Sequence, residues 1–273
     1  MRKNKSLLLS TPYILWMVVF TLIPLGVVAY YAFTDPNTSA FSMQNILQLK
    51  DYMPVLWQSI LYSLISALIC LLLGYPVAYY IAHRSEVVQK ILYMLVMLPM
   101  CMSFLLRTLA WVGLLQDTGI INNLLGLIGI GPLRMIRTPG AVILGMVYNY
   151  LPYMILPLYA IIVKIDNRLI EAAEDLGCNS FHVFTKVILP LSMPGILSGI
   201  TMVFVPAVST FYISQKLGGT DTVLIGDVIE RQFKQGNNAN LGAALSLLLM
   251  ILVFICTGIM NRLGADEEGG VVV

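Results

Sequence analysis

The sequence predicts an all-α protein that crosses a membrane six times, and three observations carry that prediction. Of 273 residues, 58% are hydrophobic and only 11% charged, whereas a soluble domain holds about 25% charged residues. The apolar residues gather into six charge-poor windows, each long enough for the roughly 20 residues a helix needs to cross the hydrocarbon core. Backbone groups in lipid must pair within their own segment, which leaves helices rather than open strands as the form for such windows.

The first window, Ser6 to Thr34, follows Arg2, Lys3 and Lys5. That beginning is shared with signal peptides, but the apolar run exceeds the roughly 7 to 15 residues of a signal core and no small-residue cleavage site closes it, so it reads as an uncleaved span. The second window is Tyr52 to Ala82, and the third, Ile91 to Gln116, is interrupted only by Arg107. The fourth, Thr138 to Val163, places Tyr148, Pro152, Ile155 and Tyr159 on one helix face. The fifth is Val187 to Gln215, with Phe211 and Tyr212 near its far end, and the sixth is Leu241 to Asn261. Pro24, Gly74, Pro76, Pro99, Pro152, Pro157, Pro194 and Pro206 lie inside these windows, where they free carbonyls and permit bends. The whole chain, 1–273, reads as one transmembrane domain with a core of about 12–263 and a polar loop at 166–190.

Six spans put both termini on one side. With the N-terminus in the cytoplasm the inner segments hold nine Lys and Arg and the outer segments six, Arg107 standing apart within its span. This leans toward cytoplasmic termini by the positive-inside rule.

Several function classes find no support. The net charge of +2 and the lack of a basic block interleaved with aromatics give no footprint for nucleic acid. Cys70, Cys101, Cys178 and Cys256 show neither metal-ligand nor disulfide-framework spacing, and His83 and His182 stand alone in polar segments. No phosphate-binding G-x-x-x-x-G-K-[ST], no H-E-x-x-H and no G-x-S-x-G occurs, so neither a metal, a nucleotide nor a catalytic residue is expected on this chain.

The polar stretch "EAAEDLGCNSFHVFTKVILP", residues 171–190, is the most informative. Leu169, Ala172, Ala173 and Leu176 fall at i, i+3, i+4 and i+7, an apolar helix face, with Glu171, Glu174 and Asp175 opposite. Gly177 stands where a helix commonly ends in a left-handed residue, and Ser180 reads as the N-cap of a second short helix. Leu189 and Pro190 mark the turn into the fifth span. Helices that lie on membranes favour Lys and Arg on the polar face. This one is acidic, which fits a protein partner better.

Glu171, Ala172, Ala173, three residues, Gly177, nine residues, Val187, one residue, Leu189 and Pro190 together resemble the EAA loop of binding-protein-dependent ABC importer permeases, with Val187 where isoleucine is usual. The segments 132–160, 189–200 and 210–233 further resemble the B-type permease of the spermidine/putrescine subgroup. The resemblance implies a type I ABC importer (MetI-like) permease fold and a coupling role for the seven loop residues just named. It implies as partners a second, C-type permease subunit, two ATPase subunits that bind ATP and Mg²⁺, and an extracellular polyamine-binding protein. It also implies a place in the bacterial plasma membrane.

Phe211, Tyr212, Gln215 and Tyr148 then become candidates for the substrate path, with Asp227 and Glu230 as acids. Gln215 occupies a position where the subgroup commonly has an acid. Residues 215–240 balance Asp221, Asp227 and Glu230 against Lys216, Arg231 and Lys234, so charge alone does not announce a cationic cargo. Arg107 on a polyamine path would repel the cargo, and the expectation is a structural guanidinium bonded to carbonyls or to an acid such as Asp117. Two alternatives stay open: a permease for another small solute, and an ion-coupled secondary transporter. The latter usually buries Asp, Glu or His within its spans.

Overall fold

The computed structural model describes residues 12–35, 40–220, 222–234 and 238–268, so Asp221 lies outside them. Among the described residues six helices are long and apolar enough to cross a membrane, and a single isolated bridge between Thr34 and Phe41 is the extended pairing. The helices are α1 Pro12–Ala32, α2 Gln44–Ala82, α3 Glu86–Met97, α4 Phe104–Leu115 and α5 Ile120–Leu127. They continue with α6 Pro139–Ile162, α7 Asn167–Asp175, α8 Ser180–Val208, α9 Ile225–Lys234 and α10 Ala239–Glu268.

The third span departs from expectation. Instead of one helix over Ile91 to Gln116, α3 tightens into a 3₁₀ turn at Leu98–Cys101 and Met102 is extended before α4 begins. Pro99 lacks the N–H that would continue the ladder. The third spanning stretch is thus Phe104–Leu127, two helices with a break between them.

The described residues form two compact units. One takes in residues up to Pro54 together with Val228–Leu252, the other Val55–Asp227 together with residues from Val253. In the first, Asn45 Nδ2 donates to Ala32 O (3.3 Å) and Thr34 O (2.9 Å), and Asn240 Nδ2 donates to Thr34 O (2.6 Å). These side chains satisfy carbonyls left over where α1 ends.

The second unit is centred on α6 and α8. Met146, Met154, Leu158, Val203, Ile213 and Leu217 are buried among them. Gly195 and Gly199, four apart on α8, let the backbones approach: a β-carbon on Gly199 would lie 2.6 Å from Met154 Sδ, and one on Gly195 would lie 3.1 Å from Pro157 O. In lipid, helix association runs on such close packing of small residues rather than on a hydrophobic drive. Ile155 and Pro152 are buried in this packing, so the expected shared face of α6 is split. Tyr148 is 37% exposed, while Tyr159 reaches Gln89 Oε1 at 3.0 Å.

Candidate functional site

Two regions at opposite ends of α8, a helix of 29 residues and so about 40 Å long, hold the residues singled out by sequence.

At the first end lies the loop. Asp166 caps α7 by accepting from Arg168 N at 3.0 Å. The helix closes at Leu176, and Gly177 follows with φ +83°. Gly177 N–H donates to Glu174 O (2.8 Å) and Cys178 N–H to Ala173 O (3.1 Å), the paired bonds of a Schellman stop. A β-carbon at Gly177 would meet nothing within 4 Å. Glycine is therefore required by backbone conformation and not by space.

The second short helix differs from expectation in two ways. Its N-cap is Asn179, whose side chain accepts from His182 N–H at 2.9 Å, with Ser180 the first helical residue. No turn follows at Leu189 and Pro190. The helix passes instead through a π segment, Phe184–Ile188, directly into the fifth span. In the π segment Leu189 N–H donates to Phe184 O, five residues back.

The buried face also shifts by one residue. Ala173, Val183 and Ile188 form a small apolar cluster with Ile165, Ile170, Cys178, Phe184, Val187 and Tyr79. Leu169 (49%) and Leu176 (86%), expected inside, are exposed, as is Phe181 (71%). Glu171, Ala172, Glu174 and Asp175 are exposed too, Val187 and Leu189 are half-buried, and Pro190 is exposed. An acidic surface carrying three exposed large apolar side chains has no complement in this unit's own packing. Behind it the cluster is tied inward: Phe184 meets Tyr75 edge-on at 5.5 Å, and the Tyr75 and Ser192 hydroxyls bond at 2.8 Å. The loop cluster is thus in contact with both α2 and α8.

At the other end α8 stops at Val208, and Phe211 and Tyr212 enter a short helical turn that ends in a π segment, Ser214–Gly218. They lie beyond the fifth span, not inside it. Tyr212 packs on Phe104 (6.2 Å), and Trp111 on Tyr148 (5.3 Å, edge-on). Phe211 is 40% exposed and Gln215 is exposed. The Tyr212 ring already faces a cation, Lys216 Nζ at 5.7 Å from its centroid.

The two acids are otherwise engaged. Asp227 is buried, and its Oδ2 accepts from Leu224 N–H at 2.9 Å, the reach-back bond of a capping box at the start of α9. Glu230 belongs to the other unit and pairs with Lys234 at 2.6 Å, one helical turn on. Arg107 is buried, but the expected bonds are not made: its Nε and Nη1 have no hydrogen-bond partner among the described residues, and Asp117 is exposed.

The signals missed in the sequence are the Gly195-x3-Gly199 spacing on α8 and the stripe Phe104, Arg107, Trp111 on α4. The first was legible as a small-residue motif. The second was legible as i, i+3, i+7.

Residues 74–265 match the family described as binding-protein-dependent transport system inner membrane component. The spermidine/putrescine transport system permease protein PotB of Haemophilus influenzae is 40% identical over 253 residues, covering 88% of each chain. A chain of a bacterial ABC transporter that imports the acidic polysaccharide alginate superposes with a TM-score of 0.81 at 18% identity, covering 97% of this chain and 96% of that one. A second structure of a bacterial alginate ABC transporter, in complex with its alginate pentasaccharide-bound periplasmic protein, superposes at 0.75 with 20% identity, covering 95% and 94%.

Proposed function

The chain belongs to the family of binding-protein-dependent transport system inner membrane components, and from that premise we propose that it is one of two permease subunits of an ATP-driven polyamine importer. As a family member it is a multi-pass transport subunit. The finer assignments are a cargo of spermidine or putrescine, a second permease subunit, two cytoplasmic ATPase subunits that hold ATP and Mg²⁺, and an extracellular binding protein. The termini and the loop face the cytoplasm of a bacterial inner membrane.

The observation that carries this reading is the loop. It offers Glu171, Glu174 and Asp175 beside the exposed Leu169, Leu176 and Phe181, on a joint whose angle is held by Gly177. A partner that grips this face moves the cluster of Ala173, Val183 and Ile188, and with it Tyr75 of α2 and Ser192 of α8. ATP-driven motion of the partner is in this way converted into a relative tilt of the spans, which opens the path to one side and then the other. The cargo assignment has its support in the named solutes of the similar permeases.

The test is to purify the complex in nanodiscs and ask which solute, delivered by its binding protein, stimulates ATP hydrolysis. Stimulation by spermidine or putrescine is expected. Stimulation by a different solute alone reassigns the cargo, and transport by this chain without any ATPase establishes the secondary carrier instead.

A further inference from the structure

Arg107 has 6% of its surface exposed, and its Nε and Nη1 donate to no acceptor among the described residues. A guanidinium presents five donors in a fixed fork and does not deprotonate in proteins. Burying such a charge without a counter-group is among the least favourable states a side chain can adopt.

The surroundings hold the group without neutralising it. Phe104, Arg107 and Trp111 follow helical spacing along α4, and the two aromatic residues each have a tyrosine beside them. Phe104 meets Tyr212 at 6.2 Å and Trp111 meets Tyr148 at 5.3 Å. The Tyr150 hydroxyl donates to Pro206 O at 3.3 Å. Nearby Lys216 adds a second cation over Tyr212. At the rim of the cluster Tyr148 is 37% and Phe211 40% exposed, and on α4 Leu105, Leu106 and Leu109 are exposed.

We propose that a carboxylate of the second permease subunit enters over this rim and pairs with Arg107, which makes the guanidinium a specificity element of the permease heterodimer. A carboxylate satisfies the fork with two parallel bonds. An amine cargo brings no anion. The inference rests on the two-permease assembly put forward under Proposed function.

The experiment uses the whole complex in nanodiscs. Arg107→Met keeps the side-chain length and removes the charge, while Arg107→Lys keeps the charge and removes the fork. Arg107→Met is expected to lower retention of the second permease subunit at least tenfold, with this chain's membrane level and its ATPase docking unchanged. Arg107→Lys falls between. Neutralising each membrane-embedded Asp or Glu of the second subunit should identify one whose loss reproduces Arg107→Met and adds nothing to it. Exchanging the charges, Arg107→Glu with Arg at that acid, should restore retention.

Wild-type retention in Arg107→Met overturns the inference. So does a second subunit with no acid that reproduces the loss or supports the exchange, even where Arg107→Met lowers the level of every subunit. If assembly persists and glutarate competes with uptake in wild type but not in Arg107→Met, the carboxylate comes from the cargo. That result overturns the inference and the polyamine assignment together. Wild-type complexes without a second permease subunit refute the assembly itself, an outcome distinct from all of these.

Discussion

The two ends of α8 differ in how each treats apolar side chains and charge. At the loop, acidic groups are exposed and large apolar residues stand outward: Leu176 is 86% and Phe181 71% exposed. At the aromatic cluster the rings face one another in pairs, and a cation on the same helix, Arg107, is buried with two donors unmatched among the described residues. Exposed apolar side chains of this size mark a surface that interacts with something beyond the chain, and a buried charge without a hydrogen-bond partner is costly to hold. The first is read by burial and the second by hydrogen-bond accounting. Both ends are unfinished in this chain alone, in opposite electrostatic senses.

The largest expected effect that would break this contrast is at Glu171. Removing one partner of a desolvated charge pair costs on the order of 2 to 5 kcal/mol, so Glu171→Lys should reduce ATPase co-purification and solute-stimulated hydrolysis by roughly 30-fold or more. The same reversal at the exposed Asp117 should leave both unchanged. Equal effects at the two positions would show that nothing specific grips the loop.

Leu176 comes next. Because it is already exposed in this chain, Leu176→Ala should leave the thermal stability of the isolated subunit unaltered. A central apolar anchor at an interface is worth about 2 kcal/mol or more, so ATPase affinity should fall by roughly 30-fold, as measured by titrating the ATPase onto nanodiscs. A lowered melting temperature with normal affinity would place Leu176 in this chain's own packing.

Gly177 sharpens the role of the joint. A β-carbon at φ +83° costs about 1 kcal/mol or more, and since the space around it is open the cost is one of backbone conformation. Gly177→Asp should leave membrane insertion intact and weaken coupling, while Gly177→Asn, which tolerates the left-handed region best among side-chain residues, should retain most of it. If Asn is as damaging as Asp, side-chain bulk or polarity at the docked face matters and the backbone does not.

The smallest effect is expected at Tyr212. A cation over an exposed aromatic face is worth about 0.5 to 1 kcal/mol, and Lys216 already holds that position. Tyr212→Leu should lower uptake by several-fold at saturating binding protein and Tyr212→Phe should not. Adding Lys216→Met should raise uptake in the Tyr212 background alone, by freeing the ring for the cargo's ammonium. Equal uptake in the leucine and phenylalanine variants would reduce Tyr212 to packing against Phe104.

Much of this was legible in one dimension. Hydrophobic windows fix spanning helices because unpaired backbone cannot exist in lipid, and all six appeared. The joint of the polar loop was legible because its signals are local: the stop at Gly177 is a matter of one residue's φ and two backbone bonds within six residues. Boundaries fared less well where proline chemistry intervened. Pro99 ended a helix in the middle of an apolar window, whereas Pro190 did not end one and lies within α8 just after a π segment. Composition alone cannot tell these outcomes apart.

What the sequence determined by itself is therefore the class of the protein, the number of its spans and the position of the joint, since each depends on neighbours within a few turns. The tertiary structure decided which way the loop's leucines point, that Asp227 caps α9, and that Nε and Nη1 of Arg107 find no hydrogen-bond partner among the described residues. Those properties depend on groups far apart in the chain. Helical periodicity ranks the faces of a helix by polarity, but which face is buried is set by what packs against it, and a charge is paired or orphaned only by the groups that folding brings within about 4 Å.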